Sequence, residues 1–456
     1  MSQSPALKYL EENHERFQNE LIELLSIPSI SHDLANKADM DKAAHWLADK
    51  LRAMGVNNVE ILPTAGHSLV YGEWLNGGDS APTVLIYGHY DVQSPEPLED
   101  WKSQPFEPDI RNDNLYARGA SDMKGQTLAA VNAVEAIIKT EDLPLNIKFL
   151  IEGEEEIGSK HLNEFLAAHR EKLKCDFSLN TDAGGMPDAE TPSICYGLRG
   201  GASFFLHIYG PGQDLHSGEY GGVIQNPIHV LSKLIADLHD EHGHVTLPGF
   251  YDKVRVIDEE EQAELARLPF TAEFLLKHSG APALWGEPEF IPAERIGARP
   301  TMEVVQFEAG QPKSAIPAKA SALFAFRLVP DQDPTETLQQ FKSYLETHAP
   351  PTVKWELELR MGGPGIITDR KIPEVLAMKD ALQTVFGKAP IFQRSGGGIG
   401  AVLMFKQTLG IDSVLTGFSL YDDNFHGPNE KLHLPTWRKG MAALVHFFHN
   451  LVDGKR

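Results

Sequence analysis

The chain has only two cysteines in 456 residues, Cys175 and Cys195, which excludes a disulfide framework and a thiolate metal site. A reducing compartment fits that scarcity. Basic side chains are also few: 41 Lys and Arg stand against 64 Asp and Glu, a formal net charge of −23. Such an excess is repelled by nucleic acid and by anionic membranes, so neither is an expected partner. No apolar run approaches the roughly 18 residues that span a bilayer. The opening stretch from Met1 to His14 has neither a basic n-region nor an apolar h-region, and a cytoplasmic location is expected. Internal repeats and low-complexity tracts are lacking too. With 42% hydrophobic and 23% charged residues, the rest reads as globular.

This length exceeds one ordinary core, so two domains are expected. Helix-period residues cover 5–25 and 39–54, the second ending at Gly55 as a C-terminal cap. Buried-strand patterns at 83–87, 146–151 and 177–180 alternate with helical patterns at 124–139 and 160–173. That alternation predicts an α/β fold, a mainly parallel sheet with helices on both faces. From about residue 197 the pattern changes. Strands at 202–209, 302–308, 320–329 and 352–359, with helices at 223–238 and 334–348, predict an inserted, smaller α+β sandwich. The Gly-Pro-rich stretch 361–365 marks its exit. The predicted division is 1–196 plus 365–456 for a discontinuous larger domain and 197–364 for the insertion. Within the latter, 243–300 reads as irregular.

Three strand patterns run into potential ligands. Thr83 to Tyr87 leads to Gly88-His89-Tyr90-Asp91, Asn146 to Ile151 leads to Glu152-Gly153-Glu154-Glu155-Glu156, and Phe177 to Asn180 leads to Asp182. Open α/β sheets bind ligands beyond the carboxyl ends of their strands, so these side chains can converge although far apart in sequence. His89 and Asp91 alternate and project to one side; a histidine beside a carboxylate is also ordinary structure. Asp122, just before a helix and between Gly119 and Gly125, reads both as an N-cap and as a ligand on a turn shaped for close approach. Adjacent carboxylates repel unless a cation or proton intervenes, and one can bind metal while its neighbour acts as general base. His426 adds a second histidine late in the chain. Two histidines and three carboxylates suit two cations sharing one bridging oxygen ligand.

Six motifs in one order carry a family likeness: Gly-His-Tyr-Asp-Val-Gln (88–93), Arg-Gly-Ala-Ser-Asp-Met-Lys-Gly (118–125), Glu-Gly-Glu-Glu-Glu-Ile-Gly-Ser (152–159), Asp-Leu-His-Ser-Gly (214–218), Phe-Arg-Leu-Val-Pro (326–330) and His-Gly-Pro-Asn-Glu (426–430). Over nearly its whole length the chain resembles the zinc-dependent aminoacylase and carboxypeptidase superfamily, in particular its carnosinase-like, cytosolic nonspecific dipeptidase branch. The resemblance implies two divalent cations per subunit, zinc or alternatively Mn²⁺ or Co²⁺. His89, Asp122 and Asp182 would bind one, and Asp122, Glu156 and His426 the other. It further implies a cis bond between Asp122 and Met123, Asp91 orienting His89, and Glu155 as the general acid/base of a water that attacks a dipeptide. His216, on its spacing alone an exposed loop histidine, is by this resemblance the oxyanion donor in a partner subunit, making the enzyme a homodimer. Arg327 and Ser314 are implied contacts for the substrate's C-terminal carboxylate. Two positions depart from the pattern. Gly398 stands where relatives commonly carry a serine or threonine that touches the substrate, and Glu154 stands where an apolar residue is common.

The alternatives are an N-acyl amino acid deacylase or a carboxypeptidase of the same superfamily, and, from another class, a catalytically silent metal-binding scaffold. Loss of Glu155 or of a ligand would mark the scaffold, and neither is lost.

Overall fold

The computed structural model, described for residues 4–183 and 185–454, divides into two units. The larger comprises Met1–Tyr196, Thr368–Gln393 and Ile399–Arg456; the smaller comprises Gly197–Ile367 and Arg394–Gly398.

In the larger unit the main strands are β1 (Asn57–Leu62), β2 (Leu69–Leu75), β3 (Thr83–His89), β4 (Asn146–Glu152), β5 (Phe177–Asn180), β6 (Ser193–Leu198) and β7 (Asp412–Thr416). They lie in the order β1-β2-β4-β3-β5-β7-β6. The central four are parallel, while β1, β2 and β6 join antiparallel at the flanks. Strands buried on both faces need no polar alternation, which is why β3 reads as an apolar run and β4 does so except for Lys148, whose ammonium donates to the Lys172 and Lys174 carbonyls. Leu85 and Tyr87 of β3 pack with Leu150, Leu162, Phe165 and Phe405 on one face. The opposite face takes α1 (Lys124–Thr140), buried along most of its length, with the C-terminal helix α2 (Leu434–Asp453) against it. Gly88 permits this close approach, since a Cβ there would lie 2.5 Å from Thr127 Oγ1.

Register places the strand ends side by side. His89 pairs with Glu152, and Tyr87 with Asn180, so β3, β4 and β5 finish at one edge of the sheet. The His89, Glu152–Glu156 and Asp182 segments therefore emerge together.

The smaller unit is a four-stranded antiparallel sheet in the order Thr301–Ala309, Lys319–Leu328, Gly200–Tyr209, Lys354–Gly363. Its inward positions, among them Phe204, Leu206, Ile208, Phe324 and Phe326, pack against Leu231 and Leu234 of one helix and Phe341 and Leu345 of another. The second helix begins at Pro334 as expected, capped by Asp333, whereas the first, expected from Val223, begins at Pro227, where Asn226 caps it and proline suits the first turn.

The structure also differs from the sequence-based expectation elsewhere; the strand expected at 352–359 runs from Lys354 to Gly363, into the expected exit stretch. The helical pattern over 5–25 is broken at Asn13 into Pro5–Glu12 and His14–Leu25. The helix expected at 160–173 is shorter, Leu162–Ala168. Residues 243–300 contain three short helices, Glu259–Leu265, Ala272–Ser279 and Pro292–Gly297; Asp258 and Thr271 accept first-turn amides and nucleate the first two. Finally, Arg394–Gly398 belongs to the smaller unit. Arg394 pairs there with Glu261, Gly396 accepts a hydrogen bond from Arg199 Nε at 2.9 Å, and Gly297 packs directly on the Arg394 backbone.

Among the described residues, no helix is long and apolar enough to cross a membrane.

Candidate metal centre

Two triads of potential ligands meet at the edge where the parallel strands end. His89, Asp122 and Asp182 form one, and Asp122, Glu156 and His426 the other; within each, the ligand atoms all lie within 4.8 Å of one another. Asp122 belongs to both. Its Oδ1 is 3.2 Å from His89 Nε2, and its Oδ2 is 2.8 Å from His426 Nε2. Asp182 Oδ2 is 3.8 Å from His89 Nε2, and Glu156 Oε2 is 3.3 Å from His426 Nε2. The Asp122–Met123 peptide is cis, as is Glu96–Pro97.

Local structure sets these positions. His89 is the last residue of β3 and fully buried, with Nδ1 3.0 Å from the Asp91 carbonyl and 3.4 Å from its carboxylate. The Asp91 carboxylate accepts the Glu155 amide at 3.3 Å and the Glu156 amide at 3.0 Å, so one side chain holds both His89 and the turn bearing the two glutamates. Gln93 donates to Glu156 Oε2 at 2.9 Å and fixes that carboxylate further.

The electrostatics follow from five carboxylates and two imidazoles crowded together at a partly buried site. Burial opposes the charge of His89, but Asp122 and Asp91 outweigh it and hold its pKa well above the ordinary value. Hydrogen bonds to Asp122 and Glu156 push His426 up to about 10. Burial also opposes the charge of Asp122, yet His426 and His89 keep its carboxyl below the usual range. Asp182 is driven up by burial and by the charge of Asp122. Glu155 is pushed up to about 7, chiefly by burial, with Asp122, Glu156 and Asp91 adding to it against His89.

The donor set fits divalent cations. His89 Nε2 and Glu156 Oε1 are both buried with no hydrogen-bond partner among the described residues, a costly arrangement for polar atoms unless a cation satisfies them. Imidazole nitrogens and carboxylate oxygens without thiolate suit zinc, manganese or cobalt alike. Because ligand imidazoles must be neutral, cation binding competes with protons. Both imidazoles are held toward their protonated forms in the metal-stripped protein, so binding of the cation pair should release protons, and apparent affinity should rise with pH. Calorimetric titration in two buffers of different ionisation enthalpy measures that release; identical heats in both buffers would contradict protonation of the two imidazoles.

The remaining predicted residues lie in the smaller unit. His216 is exposed, and its two-residue ladder with Ala315 sets Ser314 beside Ser217, whose amide donates to the Ser314 carbonyl at 3.1 Å. His216 Nδ1 accepts the Gly218 amide at 3.1 Å, which leaves Nε2 to carry the ring proton. Arg327 is exposed on its strand, opposite Gly201 and Thr301. Its charge, after burial, helps push Arg199 down to about 10, so an anion beside this pair would relieve a repulsion. Gly398 has a steric reason: a Cβ there would lie 2.6 Å from the Arg199 carbonyl oxygen, so serine or threonine would require the backbone to shift.

Two contributors were not evident from sequence. Glu154 is a buried anchor, accepting the His67 amide at 3.2 Å, the His161 amide at 3.3 Å and His161 Nδ1 at 2.8 Å. Gln93 lies inside the first of the six motifs, but only its contact with Glu156 reveals its use.

Residues 85–450 match the model of peptidase family M20/M25/M40. The chain belongs to this family. Within it, the chain is similar to the Cys-Gly metallodipeptidase DUG1 of Candida albicans, with 31% identity covering 98% of this chain and 96% of that protein. It is similar to the human Beta-Ala-His dipeptidase, with 31% identity covering 80% of this chain and 74% of the relative. Among solved structures, the M20 family metallo-carboxypeptidase Sso-CP2 of Sulfolobus solfataricus superposes with a TM-score of 0.85 at 33% identity, covering 96% of this chain and 99% of that one. M20 membership makes this a peptidase-family hydrolase, and its two-unit α/β architecture is the family's.

Proposed function

We propose that the protein is a metal-dependent dipeptidase acting on dipeptides with a free C-terminal carboxylate. The observation that carries this reading is the pair of ligand triads sharing Asp122, with the Glu155 carboxyl poised near neutrality beside them. His89, Asp122 and Asp182 hold one cation, and Asp122, Glu156 and His426 the other; zinc is the proposed ion. Bound there, the cations supply Lewis acidity toward a carbonyl oxygen and ease the ionisation of water. Glu155 takes the proton of the attacking water and returns one to the leaving amine. Asp91 keeps His89 and the glutamate turn in place throughout. The Nε2–H of His216 donates to the developing oxyanion, and Arg327 receives the substrate carboxylate in its planar fork, with the Ser314 hydroxyl assisting. Gly398 leaves unmade the side-chain contact that a serine or threonine would offer the substrate.

Hydrolysis of a panel of dipeptides, tripeptides and N-acetyl amino acids by the zinc-loaded protein tests this. Dipeptides should be turned over best. Preference for acylated amino acids would make it a deacylase. Release of C-terminal residues from longer peptides would support the second reading, a carboxypeptidase, which the similarity to Sso-CP2 favours.

We assign His216 to the active site of a second subunit, so that the functional unit is a homodimer. Mixing His216→Ala with Glu155→Gln chains, each inactive alone, should then restore about a quarter of wild-type activity, since half of randomly assorted dimers hold one complete site. No recovery after mixing would place His216 outside the partner's site. Cys175 and Cys195 form no disulfide, which supports a cytoplasmic location.

A further inference from the structure

Arg118 and Glu430 form an ion pair across 312 residues of sequence, at 2.7 Å, with both side chains almost wholly buried. Neither is a ligand in the metal centre, yet each is bound to a segment that carries one. Glu430 Oε1 accepts the Ser121 amide at 2.9 Å and the Asp122 amide at 3.0 Å, and its Oε2 accepts the Gly119 amide at 2.9 Å. Arg118 Nη2 donates to the His426 carbonyl at 3.0 Å and to the Ser94 carbonyl at 3.1 Å. Through this pair the turn of Asp122, the loop of His426 and the segment following Asp91 are tied to one rigid point.

We infer that Arg118 and Glu430 are positioning residues that set the relative placement of Asp122 and His426, and thereby the affinity of the second cation site. This rests on the proposed dinuclear centre. The backbone ladder Asn114–Tyr116 with Lys431–His433 brings the two segments together, but it ends before either ligand. Beyond it, residues 119–122 turn with Gly119 at φ +81°, His426 itself has φ +58°, and the His426 side chain is 55% exposed. The 119–121 turn is buried, but packing alone does not fix the exposed His426 side chain. The chemistry is specific as well. Glu430 meets four donors with two oxygens, which a carboxylate can satisfy and a primary amide, with one acceptor oxygen, cannot. Arg118 serves Glu430 and two carbonyls from one planar fork, which a lysine ammonium on a flexible stem does not reproduce.

The test compares wild type, Arg118→Lys and Glu430→Gln, each stripped of metal and titrated with Zn²⁺ by calorimetry and with Co²⁺ by visible absorption. Arg118→Lys should keep its far-UV circular dichroism but bind one of the two cations about 10–100-fold more weakly, the range for groups that orient metal ligands. The Co²⁺ absorption should change with it. Glu430→Gln should weaken both cations, because Asp122 is common to the two triads. In steady-state assays kcat should fall while KM changes little. For Arg118→Lys, a general structural role would lower melting temperature without altering the ratio of the two affinities. A folded variant with wild-type affinities and an unchanged Co²⁺ spectrum overturns the inference. Unfolding of both variants overturns it too, since the pair would then be an element of the fold as a whole. Should wild type prove inactive on dipeptides, the dipeptidase reading fails, while the cation affinities still decide this one.

Discussion

Asp122→Asn should abolish turnover and leave the protein unable to retain its cation pair through dialysis. The substitution conserves volume but exchanges one carboxylate oxygen for an amide nitrogen, which is a donor where a ligand must accept. Both oxygens of Asp122 are engaged, Oδ1 toward His89 and Oδ2 toward His426, so no rotation of the amide spares both triads. The negative charge that holds both imidazoles in place is lost as well. Several kcal/mol of transition-state stabilisation come from such cations, which corresponds to a rate loss of about 10³-fold or more. Metal analysis after dialysis, alongside kcat, measures both effects. His426→Ala provides the contrast: it should lose only one cation, because the His89 and Asp182 triad does not include it. Retention of two cations by Asp122→Asn would show that Asp122 does not bridge.

Glu155→Gln should have the second largest effect, and a different signature. Both cations should remain, KM should change little, and kcat should fall by about 10²–10⁴-fold, the usual contribution of a positioned proton-transfer group. The structural basis is that Glu155 belongs to neither triad, while Asp91 holds its backbone at the edge of the site. The pH profile adds a second check. A carboxylate must be ionised to accept a proton, so the rate should fall as pH drops through the pKa of Glu155. Its pKa is about 7 in the protein without cations. Bound dications add positive charge beside it and move this acid limb below 7. The limb should vanish in Glu155→Gln. Normal activity in that variant would remove Glu155 from proton transfer.

Much of the architecture was legible because it rests on local signals. The apolar runs of β3, β4 and β5 and the helix between them predicted a parallel sheet, and helical patterns at 223–238 and 334–348 marked the helices of the inserted sandwich, the first of which starts later, at Pro227. The mistakes came where tertiary contacts override sequence position. Arg394–Gly398 follows the smaller unit because of Glu261 and Arg199, more than 130 residues earlier in the chain. Residues 243–300 read as irregular because their helices are too short to display a period, and the capping by Asp258 and Thr271 shows only in the structure. Glu154 looked like a spare carboxylate in a glutamate run. Its work is to anchor His67 and His161, and neither partner is adjacent to it in sequence.

The sequence by itself determined which chemistry was possible. It placed histidines and carboxylates after buried strands and carried six motifs in one order, and nothing in its composition competed with that reading. Only the tertiary structure decided how these residues combine. The parallel register that pairs His89 with Glu152 and Tyr87 with Asn180 brings the three strand ends together. Asp122 then stands between two imidazoles separated by more than 300 residues of chain, and Arg118 and Glu430 lock the turn that carries it. Periodicity and motif spacing report on neighbours along the chain. A shared ligand and a buried ion pair are set by neighbours in space, which form only once the core has closed.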